Sequence, residues 1–74
     1  MTPAEWDIIQ ALANVSMNRR ADVATISAML KIGEWSQENL FPEATARHLK
    51  AMVKRYRRAL PVEILVLAAL RWGP

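Results

Sequence analysis

The stretch Ala46-Arg47-His48-Leu49-Lys50-Ala51-Met52-Val53-Lys54-Arg55-Tyr56-Arg57-Arg58-Ala59-Leu60-Pro61 decides the fold class. Ala46, Leu49, Val53, Tyr56 and Leu60 recur at spacings of 3, 4, 3 and 4. That is the period of an amphipathic helix with a narrow apolar seam. Two heptads are too few for a free-standing coiled coil, so the seam must find its partners within a bundle. Pro61 ends the helix, because a proline clashes with a helical residue before it and lacks a backbone donor. Pro42 suits a first-turn position and Glu43 complements the positive end of the helix dipole. The pattern therefore predicts a helix over residues 42–60.

Outward from this element, the same signals recur. Pro61 also opens a second helix, predicted over residues 62–72 and stopped at Gly73-Pro74. Ile64 to Leu70 is apolar on every side, with only Glu63 and Arg71 charged in that helix. A helix of that kind needs cover all round, and three short neighbours can hardly supply it. The reading therefore expects an exposed patch around Leu67, Leu70 and Trp72, with self-association as a dimer. Upstream, a helix is predicted from Asp22, as N-cap, to about Ile32. Val23, Ile26 and Leu30 form its inner stripe, Met29 lies beside them, and Gly33 serves as a C-terminal stop. The first helix opens on Thr2, Pro3 and Glu5, the signature of a capping box. It is predicted to run to about Val15 with Trp6, Ile8, Ile9, Leu12 and Ala13 on a broad apolar face. The expectation is an all-α, compact bundle of three to four short helices, forming a single helical domain over residues 1–74, with no sheet.

Composition narrows the classes. The chain has 74 residues, 53% hydrophobic and 23% charged, which excludes a multidomain enzyme and a disordered chain. It contains no cysteine, so no disulfide and no thiolate zinc site can staple it. No run approaches the ~20 apolar residues of a spanning helix, and the acidic start Glu5-Trp6-Asp7 lacks the basic flank of a signal peptide. A cytoplasmic protein without a membrane partner is expected.

The basic run is the main functional signal. Arg47, Lys50, Lys54, Arg55, Arg57 and Arg58 hold six of the ten Lys and Arg residues, and no acid falls between Glu43 and Glu63. Arg47, Lys50, Lys54 and Arg57 or Arg58 follow i, i+3, i+7, i+10 spacing and line one face. Such a stripe suits a phosphate backbone, each cation releasing a counterion. A solvated polar face is the plainer explanation, and the absence of interleaved acids argues against it. Arg19 and Arg20, in the loop after the first helix, extend the candidate contact surface. A helix-turn-helix is disfavoured, because the connector from Gly33 to Phe41 is longer than its tight turn. The basic helix also carries no Asn or Gln to pair with adenine, so weak sequence specificity is expected.

Trp6 and Tyr56 fall on apolar faces and are expected in the core. Trp35 and Trp72 lie just beyond helix ends, where each either caps the core or anchors a protein interface. Met17, Met29 and Met52 read as gap fillers. His48 is the only histidine and has no neighbouring ligand set, so it is expected as solvated surface or as one more phosphate contact. Glu38 and Glu43 suit helix-start roles better than acid–base work. With Gly33 and Gly73 alone, no phosphate loop can be built. No catalytic residue, metal or cofactor is assigned.

Leu49 to Pro61, with its Arg55-Tyr56-Arg57-Arg58 run, resembles a segment of small helical bacteriophage proteins. In these an early Thr-x-x-Glu helix is followed by a short basic helix, a connector, and a helix ending in a Leu-Val-x-Arg-Tyr-Arg-Arg-Gln-Leu-Pro-like run. Thr2 to Glu5 and Arg55 to Arg58 match. Ala59 replaces the usual Gln, and Pro42-Glu43-Ala44-Thr45 departs from the usual Thr-x-x-Gln start. The resemblance covers residues 2–61. It implies a phage or prophage origin, hence the host-cell cytoplasm, and brings no activity with it.

Three functions fit the residues. The first is a non-enzymatic accessory protein that contacts nucleic acid through the basic helix. The second is a small inhibitor or adaptor that binds an acidic surface of a host protein, either a nucleic-acid enzyme or a defence complex. The third is a homo-oligomer closed by the helix over 62–72. Far-ultraviolet circular dichroism is expected to be dominated by helix, and a β-type spectrum would overturn the architecture.

Overall fold

The computed structural model describes residues 2–32 and 43–73. The expected stop at Gly33, the Trp35 anchor and the helix start at Pro42 lie outside the described residues. Four α-helices and one 3₁₀ turn make up the fold, in the order α1 Pro3–Ala13, α2 Arg20–Ile32, α3 Glu43–Arg55, the turn Arg57–Ala59, and α4 Val62–Trp72. Among the described residues there is no strand.

The capping box of α1 forms as its residues predict. The Glu5 amide donates to Thr2 Oγ1, and the Thr2 amide donates to Glu5 Oε1 at 2.8 Å. The other Glu5 oxygen lies 3.4 Å from Arg71 Nε, so this largely buried carboxylate also ties α1 to the last turn of α4. The helix ends at Ala13, two residues before the expected limit.

Further along the chain, α3 stops as a regular helix at Arg55, short of the expected Leu60. The Tyr56 amide still reaches Met52, but the Ala59 and Leu60 amides turn back only three residues, to Tyr56 and Arg57. Pro61 explains the tightening. It forces Leu60 into an extended conformation, with φ −100° and ψ 143°, so the helix must close before it. At the end of α4, Gly73 adopts φ 84°, a conformation that favours glycine, and its amide bonds Ala69.

Packing centres on α1, which lies against both α2 and α4, while α3 packs on α4. The core is built from Ile8, Ile9 and Leu12 of α1, Ile26 and Met29 of α2, and Leu49, Met52 and Val53 of α3, closed by Leu60 and Ala68. The α3 seam is as expected at Leu49, Val53 and Leu60. Met52 is fully enclosed, while Ala46 and Tyr56 are half-buried.

Two faces differ from expectation. On α2, Ile26 and Met29 are buried, but Val23 and Leu30 are exposed. The helix begins at Arg20, two residues earlier than expected, so Asp22 is not its cap but a member of its inward row, i, i+4 and i+7 with Ile26 and Met29. On α4, the expected patch of Leu67, Leu70 and Trp72 is corrected. Leu67 and Trp72 are half-buried against the core, and only Leu70 stands out, at 80% exposure. The exposed apolar row is Val62, Val66 and Leu70, at i, i+4 and i+8, because Ile64, Ala68 and Trp72 take the inward side.

Leu49 has no exposed surface. Leu49→Ala is expected to destabilise the fold by about 2–4 kcal/mol, through lost transfer energy and a residual cavity. Urea unfolding checks this, and a change below about 1 kcal/mol would mean that the seam is not the core.

Candidate functional site

The most densely bonded side chain in the described structure is Asp22, in the first turn of α2, with 1% of its surface exposed. Three donors from α3 and its end converge on it. Arg55 Nη1 lies 2.5 Å from Oδ2, the Tyr56 hydroxyl donates to the same oxygen at 2.6 Å, and His48 Nε2 donates to Oδ1 at 2.8 Å. His48 Nδ1 in turn meets Thr25 Oγ1 at 3.1 Å, one turn along α2 from Asp22. With the Nε2 proton on Asp22, a neutral imidazole accepts the Thr25 proton at Nδ1, while a protonated ring donates to Thr25 instead. The Arg55 guanidinium also sits 5.9 Å from the Tyr56 ring centre, within cation–π range.

Charge follows geometry here. Burial alone would push the Asp22 carboxyl up, but the Tyr56 hydroxyl, the Arg55 guanidinium and the His48 imidazole together hold it down at about 2. Its hydrogen bond raises the Arg55 pKa further above the usual guanidinium value. The same carboxylate, helped by burial, raises the Tyr56 phenol above 10.0. No buried side-chain nitrogen or oxygen is left without a partner among the described residues.

Threonine, imidazole and carboxylate thus stand in line, as in a hydrolytic relay. The carboxylate is already neutralised by Arg55, which removes much of the charge that would stabilise an imidazolium. What the arrangement does is fasten α2 to α3. Among the described residues, no group of three His, Cys, Asp or Glu side chains is placed to hold a metal ion.

This fastening redistributes the expected contact residues. Arg55, expected on the basic face, is committed to Asp22, and His48, expected as solvated surface, is the second arm of the same cluster. Arg47 is exposed and lies 3.9 Å from Glu43, one turn away, a weak surface pair. Lys54, Arg57, Arg58, Arg19 and Arg20 are exposed, and Lys50 is half-buried. Among the described residues, none of these six has a carboxylate within ion-pair distance. Because Asp22 bonds Arg55 and Tyr56, the start of α2, with Arg19 and Arg20, is held at the end of α3 that carries Arg57 and Arg58.

A groove of about 210 Å³ opens between α3 and α4. Lys50, Val53, Lys54 and Arg57 form one wall, and Leu65, Ala68, Ala69 and Gly73 form the other. Sequence reading missed Asp22, Thr25 and His48 as one cluster, since Asp22 and His48 are 26 positions apart. The available signal was a carboxylate at the head of the Ile26–Met29 row.

No known protein family, curated protein or solved structure matches the chain.

Asp22→Asn removes the charge that the three donors share, and is expected to destabilise the fold by about 2–4 kcal/mol. The pH dependence has a defined sign. The folded carboxyl titrates at about 2, below its ordinary 3.8. Its contribution is therefore complete above pH 3.8 and lost as pH falls towards 2. Urea midpoints between these limits should fall more steeply for the wild type than for Asp22→Asn. Parallel curves would mean that Asp22 is not held ionised.

Proposed function

We propose that the protein is a non-enzymatic accessory protein of bacteriophage type that contacts nucleic-acid backbones through the basic end of α3. One observation carries this reading: the bonds of Asp22 to Arg55 and Tyr56 hold the start of α2, with Arg19 and Arg20, at the end of α3 that leads into Arg57 and Arg58, all four exposed and without a described carboxylate partner. This α2–α3 corner draws cations from two elements far apart in the sequence, and neither alone would supply as many. Arg57 and Arg58 ride on the 3₁₀ turn, next to Arg55 and Tyr56, which are bonded to Asp22, and their exposed guanidinium groups suit bidentate phosphate contacts. Specificity for base sequence is expected to be weak, because the donors are charged and α3 carries no Asn or Gln.

A protein partner, whether an acidic host surface or a second copy, is the second reading. The exposed row Val62, Val66 and Leu70 favours it, since contiguous apolar surface marks partner sites.

Titration of a fluorescent duplex at several salt concentrations tests the first reading. Four to six phosphate contacts imply a log–log slope of about −3.5 to −5.5. Replacing Arg57 and Arg58 by Gln should reduce that slope by about 2 and weaken all duplex sequences alike. No binding at about 50 mM salt would remove the nucleic-acid reading.

A further inference from the structure

The groove between α3 and α4 is apolar along its floor and cationic along one wall. Val53 at its base is buried and Leu65 is half-buried, while Ala69 is exposed at its lip. On the far side of Ala69 the apolar surface of α4 continues onto Val62 and Val66, at 72 and 52% exposure, while Leu70 faces away from the groove. On the near side stand Lys50, Lys54 and Arg57, at i, i+4 and i+7. The two features form one surface: an apolar strip edged by a row of positive charge.

We infer that this surface docks an amphipathic helix of a partner protein, with apolar anchors on one face and carboxylates along one edge of it. The dimensions match. Val62 to Ala69 spans about 10 Å of helix, and Lys50 and Lys54 about 6 Å of α3, with Arg57 on the turn beyond it. A partner helix of about three turns would set apolar side chains at i, i+4 and i+7 against the strip, the common helix-in-groove arrangement. Its acids, one turn apart, would face Lys50 and Lys54 in register, with Arg57 on the turn beyond them.

Charge and chemistry select this occupant over others. An apolar floor offers phosphates no donors, so a nucleic acid would use the cations and leave the strip bare. A groove of about 210 Å³ is smaller than the ~300 Å³ or more typical of small-molecule sites, and it is open. A second copy brings a formal charge of +3 and its own row of cations, and Glu63 is the only acid on its α4. An acidic helix satisfies both halves of the surface.

The inference does not depend on the nucleic-acid reading, and the test separates them. The probe is a fluorescent helical peptide of about 14 residues, with Leu at i, i+4 and i+7 and Glu along one edge. A peptide of the same composition, with the apolar row scrambled, is the control. The wild-type protein should bind the first peptide at least about tenfold more tightly than the control. Ala69→Glu and Val66→Glu each place a carboxylate in the strip, and each should weaken binding about tenfold or more. Both positions are exposed on α4, so helix content by circular dichroism should be unchanged, and either variant suffices if the other fails to fold. Lys50→Gln with Lys54→Gln should weaken the peptide about tenfold and flatten its salt dependence. Arg19→Gln with Arg20→Gln should leave peptide binding unchanged while weakening any duplex binding. Equal affinity for the two peptides, or indifference to both strip substitutions, would overturn the inference. So would loss of duplex binding in the strip variants, which would place nucleic acid in the groove. A sedimentation experiment showing a wild-type dimer dispersed by Ala69→Glu would place a second copy there instead.

Discussion

The Asp22 carboxylate has one negative charge and about four positions at which to accept a hydrogen bond, and α3 and its end fill three of them with donors of different kinds. That imbalance organises the molecule. A buried carboxylate is unfavourable unless it is paired and bonded, so α2 is held only where Arg55, Tyr56 and His48 can all reach it. The apolar contacts of Ile8, Ile9 and Leu12 on α1 help to build the core, but they do not define how far α2 slides along α3. The polar cluster does, because each donor accepts only a narrow range of distance and angle.

The consequences spread outward from that junction. With Asp22 pointing inward, Ile26 and Met29 follow it into the core, and Val23 and Leu30 turn towards solvent. Arg55 and His48 are tied to Asp22, and most of the other expected contact cations fall into two groups that share Arg57. Arg19, Arg20, Arg57 and Arg58 lie at the α2–α3 corner, while Lys50, Lys54 and Arg57 edge the groove beside α4. What looks in the sequence like one continuous basic stripe is in space a clamp, a corner and a rim.

The helical class and the number of elements were legible because they rest on local chemistry. The Thr2–Glu5 capping box, the Pro61 break and the Leu49–Val53–Leu60 spacing each act within a few residues. The phase of α2 was not legible from its apolar residues. Val23, Ile26 and Leu30 make a credible stripe at i, i+3 and i+7, and nothing local says that a carboxylate outranks two aliphatic side chains for the inward position. That preference comes from Arg55, Tyr56 and His48, which are 26 to 34 positions away. The α4 surface failed for a related reason. A helix apolar on every side carries no period, so its inward face is chosen by its neighbours, here with Arg71 drawn to Glu5 on α1.

Tyr56 is the only tyrosine in the chain, and its hydroxyl sits inside the clamp. The chain thus carries an optical gauge of its own α2–α3 junction. While the helices are docked, the phenol donates a hydrogen bond to a carboxylate and resists ionisation beyond the ordinary 10.0. Once the junction opens, water replaces Asp22 and the phenol reverts to that value. The ultraviolet signal of one phenolate can therefore follow local opening separately from global unfolding, with no label and no substitution.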